Sequence, residues 1–420
     1  MGERFTSILA AVLAGAAMCV ATAQQRWIAS LSDRGLPAPG ARWLPWSDDE
    51  RHPANRVFQL TFFVDFVPAE VGFALPAEST RAAEHGPDGR YFGKRAGGPA
   101  DRRLFGGDGL QLPRESFSES EAKALRDALD ALSGDAILSL RAETAACAFL
   151  QCDLLRMARR LLDTGSNPEL LAPLLQAARR LALPRATLSD HELSTFSIAQ
   201  AATIEPEIEP SRLVEIERRS TRLFDAEHSL LWSRVFLEWP TTATRQLREE
   251  LAAVAAGEKP SVPVGARAIL IQGIVALDDQ GKPCATDLAI DVRLQRFVGA
   301  LDALAAAAST TRDGVDFRVF WLERETLRRL AGKTTIADFR ELHDDDQVLF
   351  RDYGTPKHTT LSAQCTLCHR TSGTPEPELA GFPLLRKHAQ PRIASSPRAR
   401  MELAERQFAT FFAELEAAAK

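Results

Sequence analysis

At 420 residues, 45% hydrophobic and 25% charged, the chain has ordinary globular composition and material for one large or two medium cores. A net charge of −5 over that length, with no run of more than three like charges, is weak and does not point to nucleic acid as a partner, so none is expected. The 25 glycines and 24 prolines cluster in a few stretches and show no solenoid period.

The first 23 residues read as an export leader. Arg4 precedes an apolar run from Ile8 to Val20, too short to span a bilayer, and Ala21-Thr22-Ala23 follows as an A-x-A cleavage site. Cys19 follows Met18 rather than a small residue, which argues against a lipoprotein signal. No later apolar run reaches the roughly 20 residues that a span needs, so no stable membrane insertion is expected after cleavage. Five thiols remain in an oxidising compartment: Cys147, Cys152, Cys284, Cys365 and Cys368. Cys147 and Cys152 share one predicted helix at a spacing unsuited to bridging. Once Cys365 and Cys368 are set aside, the three others allow one disulfide, from Cys147 or Cys152 to Cys284, and one free buried thiol, and the sequence does not choose between them.

Residues 26–52 are expected to be irregular, Trp-containing, surface-wrapping chain. The alternation Phe58-Leu60-Phe62-Val64-Phe66 predicts a strand ended by Pro68. The Gly-rich stretch 84–114 predicts a long loop. Its FGGDG lacks the Lys-Ser/Thr pair of a phosphate cradle. Ser118 with Glu121 forms a capping box for a first helix striped by Leu125, Leu129 and Leu132, with Gly134 as its C-terminal stop. Further helices are predicted over 143–163, with Phe149, Leu150, Leu154, Met157 and Leu161 on one side, and over 168–183, before Pro184.

Strands return at 229–238, then a helix over 241–256, then an antiparallel hairpin of 268–277 and 287–295 around DDQGKPCAT. Residues 317–322 and 347–350 are further strands. Strands, helices and strands again predict an α+β fold. It comprises a large mixed region of antiparallel strands with a helical layer over 24–340, and a small, mostly helical module over 341–420. The acidic run His343 to Asp346 lacks the glycine of a calcium loop and reads as a solvated turn. His191 and His228 have no catalytic partner at recognisable spacing, and neither G-x-S-x-G nor H-E-x-x-H occurs.

Chemistry concentrates at Cys365-Thr366-Leu367-Cys368-His369. Random placement would produce C-x-x-C-H only about 0.002 times in such a chain. After a Thr359 or Thr360 cap, a helical turn places both sulphurs, three apart, on one side, with His369 one turn from Cys365. A zinc site needs four ligands, and this run supplies three. His343, His358 or His388 would have to complete it, without a second C-x-x-C. A redox or structural disulfide is the other rival, although no βαβ unit of the thioredoxin kind accompanies it.

The segment resembles the haem-attachment site of c-type cytochromes, and the resemblance covers only about residues 340–420. It implies one covalent haem c held by Cys365 and Cys368, with His369 as the proximal iron ligand. Export agrees with it, since c-type haem is attached after translocation. Thr371 to Pro383 then reads as a loop around the porphyrin edge. Ser395 or Ser396 caps a closing helix with Pro397 in its first turn and Leu403, Phe408, Phe411, Phe412 and Leu415 as its apolar face.

The departure from the family is the sixth ligand. Met401, the only methionine after His369, is the candidate distal ligand, but it falls inside the closing helix, where packing is an equal role. His388, then His358, are substitutes, and an open position is a further alternative. Arg386, Lys387, Arg392, Arg398 and Arg400 form an acid-free stretch that suits haem propionates or an acidic redox partner, or else is merely a solvated basic face. The leading expectation is an exported, periplasmic monohaem c-type cytochrome acting in electron transfer, with the upstream region docking a partner or substrate. The rivals are a peroxidase-like haem enzyme with an open iron site, and a non-haem exported binding or scaffold protein with a C-x-x-C disulfide.

Overall fold

The computed structural model describes residues 45–65, 102–104, 106–107, 110–111, 113–189, 208, 210–217, 230–239, 244–256, 263, 265–297, 315–322, 327, 330, 338–341, 347–350, 357–360, 392–393 and 397–420. The expected leader, the Gly-rich stretch up to 101, the acidic run 343–346, His191 and His228 lie outside these residues.

Helix α1 (Pro53–Phe62) occupies the stretch expected to be a strand, and only Phe63–Asp65, β1, is extended. The phenylalanines that alternate also recur at helical spacing. Ala54, Val57, Phe58, Thr61 and Phe62 are buried together, and Phe58 stacks on Phe62 at 5.2 Å between ring centroids. Pro53 favours the helix because its fixed φ suits the first helical position, where no amide hydrogen is needed. The Asn55 side chain accepts the Trp46 N–H (3.0 Å) and donates to the Ser47 and Asp49 carbonyls, folding the preceding chain onto the helix. Trp46 is therefore core, 2% exposed, rather than surface-wrapping chain. Within the stretch expected to be loop, β2 (Arg102–Leu104) pairs antiparallel with β1, and β3 (Gly106–Gly107) with β4 (Leu110–Gln111).

The capping box is present. Ser118 and Glu121 exchange side-chain and backbone hydrogen bonds at the start of α2 (Glu119–Ala131). That helix stops at Leu132, short of Gly134. The glycine, at φ +54°, instead opens α3 (Gly134–Ala142), a helix the sequence did not announce. Helix α4 (Thr144–Thr164) follows and ends on a left-handed Gly165. A 3-10 turn at Pro168–Leu170 leads into α5 (Leu171–Arg180), and the short α6 (Arg185–Leu188) follows Pro184.

The remaining described strands and helices are β5 (Val214–Glu217), β6 (Leu231–Glu238), α7 (Thr244–Ala255), β7 (Arg267–Leu277), β8 (Pro283–Phe297), β9 (Val315–Leu322), β10 (Phe339–Glu341), β11 (Gln347–Phe350), β12 (Lys357–Thr360), β13 (Arg392–Ile393) and α8 (Pro397–Ala418). Seven strands form one antiparallel sheet in the order β10-β9-β8-β7-β6-β5-β13, so the fold is α+β. The hairpin β7–β8 turns at Asp278–Lys282, where Asp278 Oδ1 accepts the Gln280 and Lys282 amides and Gly281 takes φ +70°.

Successive side chains alternate between the two faces of this sheet. One face, with Phe236, Ile269, Ile271, Val292, Leu294 and Phe320, shares a single core with α1, α2, α4, α5 and α8. The other carries Val214, Ile216, Val235, Leu237 and Ala268 against Leu247 and Leu251 of α7, with Phe317 and Val319 as a separate patch. Gln151 of α4 fastens the helical layer to the sheet end. It accepts the Leu277 N–H at 2.7 Å and donates to the Ala178 and Leu277 carbonyls.

A bulge interrupts β7–β8. Ile274 alone lies between paired Gly273 and Val275, while Thr286, Asp287 and Leu288 lie between their partners Ala289 and Ala285. Side chains supply the missing ladder bonds. Trp232 Nε1 donates to the Thr286 carbonyl at 2.9 Å, Thr286 Oγ1 donates to the Ile274 carbonyl at 2.8 Å, and Glu405 of α8 accepts the Ala285 N–H at 3.0 Å. Gly273 has no alternative here, because a Cβ would stand 2.2 Å from the Trp232 ring.

Candidate functional site

Along the chain, Cys365-Thr366-Leu367-Cys368-His369 falls between β12 and β13. Cys365, Cys368 and His369 lie outside the described residues, as does His388, so the structure places their flanks. Upstream, β11 and β12 form an antiparallel hairpin in which His358 is the backbone partner of Leu349, and β12 ends at Thr360, five positions before Cys365. Downstream, Arg392 and Ile393 pair with Glu217 and Ile216 at the far edge of the sheet. Residues 342–391 thus leave from β10 at one edge and return at β13 on the other. Six strand spacings of about 4.8 Å separate those edges, about 29 Å in all.

Met401 is described. It sits on α8, 8% exposed, in the core cluster with Ala404, Phe408, Phe411, Phe412 and Leu415, the position of a packing side chain. Leu403, expected on the apolar face, instead points outward at 37% exposure, because it lies about 100° round the helix from Ala404 and about 140° from Phe408. Of the basic stretch, Arg400 is buried against β6, where its guanidinium reaches the Ser233 carbonyl at 3.5 Å. Arg386 and Lys387 lie outside the described residues.

Cys147, Cys152 and Cys284 are free thiols, so neither pairing that the count allowed is formed. Each has its own buried place. Cys147 on α4 donates to the Leu181 carbonyl at 3.0 Å, Cys152 is 1% exposed, and Cys284 lies in β8 beside the Arg185–Glu405 pair. Burial pushes the Cys147 thiol up to about 12. Burial likewise pushes Cys284 up to about 12, with Glu405, Asp278 and Asp287 adding to it and Arg185 opposing. Thiols held protonated by burial are poor nucleophiles. Among the described residues no group of three or more His, Cys, Asp or Glu is placed to hold a metal ion. No described helix is long and apolar enough to cross a membrane.

The sheet carries charged pairs that sequence reading missed. Arg234 makes a two-point contact with Glu215 (2.9 and 2.8 Å), Arg267 meets Glu238 at 3.0 Å, and Arg318 meets Glu341 (2.7 and 2.8 Å). Each joins neighbouring strands, and Arg234, Arg267 and Glu238 are almost wholly buried. On the opposite face Ser233, Gln272, Asp291 and Trp321 follow one another in register across four strands, with Asp291 held by Arg293 of its own strand. No sequence signal marks these partners, because strand register alone brings them together.

No family model, curated protein or solved structure matches this chain.

Proposed function

We propose that the chain is an exported monohaem c-type cytochrome that transfers electrons in the periplasm. Cys365 and Cys368 hold haem c by thioether bonds, and His369 is the proximal iron ligand. The single observation that carries this reading is the pentapeptide Cys365-Thr366-Leu367-Cys368-His369, in a chain whose first 23 residues read as an export leader. The donor set fits the group: two thiols three positions apart and an adjacent imidazole are what covalent attachment with one axial ligand requires. The upstream thiols support the assignment, because Cys147, Cys152 and Cys284 are buried in the body as thiols. When bound, haem supplies one-electron chemistry at its iron.

This chain's own residues do the positioning. The burial of Met401 in the core beneath α8 favours His388 as the sixth ligand. The sheet body, far larger than a carrier needs, is the surface for a redox partner or substrate, and basic residues Arg386, Lys387, Arg392 and Arg398 suit an acidic partner.

Mass spectrometry of protein made in a cytochrome-maturing host tests the assignment. The peptide spanning 365–369 should carry the mass of haem, and a peptide weighing only its amino acids refutes it, leaving the scaffold reading with a C-x-x-C disulfide. Carbon monoxide binding to the reduced protein would replace His388 by an open position and favour the peroxidase-like reading. His388→Ala should create that binding, and Met401→Ala should leave the spectrum unchanged.

A further inference from the structure

Strand β8 presents Asp291, Arg293 and Gln295 at alternate positions on the second face of the sheet. Their neighbours on that face are apolar: Val235, Leu237 and Ala268 under α7 on one side, Phe317 and Val319 on the other. A polar column thus runs between two apolar patches. Strand register carries the polarity sideways, through Gln272 to Ser233 and across to Trp321. Gln272 and Asp291 are 3% and 1% exposed, whereas Arg293 and Trp321 are only partly buried. The first two form a floor and the second two its mouth.

Polar groups buried in the middle of a sheet face cost free energy unless each finds a partner. Most of them do. Arg293 gives two N–H groups to Asp291 Oδ2, at 2.8 and 2.5 Å, and Gln272 donates to Ser233 Oγ at 3.0 Å. One donor does not. The Trp321 indole N–H is buried and meets no acceptor among the described residues, although Asp291 is its register partner on β8. A donor left in this state is one that a bound acceptor satisfies.

We propose that this row is a binding site for a neutral, hydroxyl-rich small molecule of the sugar class. A hydroxyl can accept from the Trp321 N–H and donate to the Asp291 carboxylate at once, whereas an ionised carboxylate cannot donate and an ammonium cannot accept. Arg293 cancels the charge of Asp291, so the site has no net charge with which to select an ion. The partly exposed indole offers its ring to the C–H side of a sugar, and the flanking apolar patches supply the walls. Three strand spacings of about 4.8 Å separate Ser233 from Trp321, about 14 Å in all, which leaves room for one or two sugar rings. Every residue of the site lies on β6 to β9, so the inference stands whether or not the motif carries haem.

Calorimetric titration of the full exported chain tests it, with glucose, galactose, mannose, N-acetylglucosamine, maltose and cellobiose as probes and sulfate and choline as charged controls. At least one sugar should bind at one site per chain with a Kd of about 1 mM or tighter. Flat titrations for all six sugars would overturn the proposal and leave the row to packing and water. Tighter binding of sulfate or choline than of any sugar would overturn the neutral ligand class. Trp321→Phe keeps an aromatic ring and deletes the N–H. It should weaken sugar binding about tenfold, while the thermal midpoint without sugar barely moves, because the deleted donor had no partner to lose. Asp291→Asn should weaken binding at least as much, with circular dichroism showing that the sheet is intact. Unchanged affinity in Trp321→Phe would place the ligand elsewhere and overturn the site. Haem content is read separately by mass, so failure of the sugar site and failure of the cytochrome reading are distinguishable.

Discussion

Glu121 offers the most direct test of how the helical layer is held. Its carboxylate receives Arg114 at two points (2.9 and 3.1 Å) and accepts both the Ser118 N–H at 3.0 Å and the Ser118 hydroxyl at 2.9 Å. The arginine, ahead of the opposing desolvation and the Ser118 bonds, holds this carboxyl down from 4.5 to about 2. Taken at full strength, that depression is worth about 3 kcal/mol. The side chain is 23% exposed, so solvent screening reduces the expectation to roughly 1.5 kcal/mol. A depressed carboxyl stabilises the fold fully above its ordinary value and loses that contribution as the pH falls from about 4.5 toward 2. Glu121→Gln keeps the volume and removes the charge. Denaturant unfolding should therefore show the variant about 1.5 kcal/mol less stable at pH 7. The gap should narrow steadily between pH 4.5 and pH 3, while other carboxylates titrate alike in both proteins. A gap below about 0.5 kcal/mol at pH 7, or one that stays constant down to pH 3, would refute the arrangement.

Gly273→Ala should destabilise the body by about 3 kcal/mol in the same assay, because the new methyl meets both the Trp232 ring and the Leu288 carbonyl at 2.6 Å or less. A shift under about 0.5 kcal/mol would mean that Trp232 does not lie over this glycine. In native protein, iodoacetamide at pH 8 should leave Cys147, Cys152 and Cys284 unmodified, and all three should react in guanidinium. Native labelling of Cys284 would contradict its burial in β8.

Local patterns announced much of the helical layer and the sheet. The capping box at Ser118 and Glu121, the long apolar stripe of α4 and the hairpin β7–β8 are interactions among near neighbours in the chain, and each formed as predicted, except that β8 begins at Pro283, inside the stretch expected to be turn. Phe58 to Phe66 misled because phenylalanines at every second position also satisfy a spacing of four. The edge-on contact of Trp46, itself packed on Phe149, with Phe58 then favoured the helix. Gly134 misled because a positive φ serves the start of α3 as readily as the end of α2.

For the candidate site the division is sharper. The five residues from Cys365 to His369 are contiguous, so the identity and spacing of their thiols and imidazole are properties of the sequence alone. Tertiary structure decided their setting. It put β10 and β13 on opposite edges, set Met401 into the core, and kept the three upstream cysteines as thiols. Strand order and burial depend on pairings between residues scores to hundreds of positions apart. A local pattern of side chains carries almost no information about such distant partners.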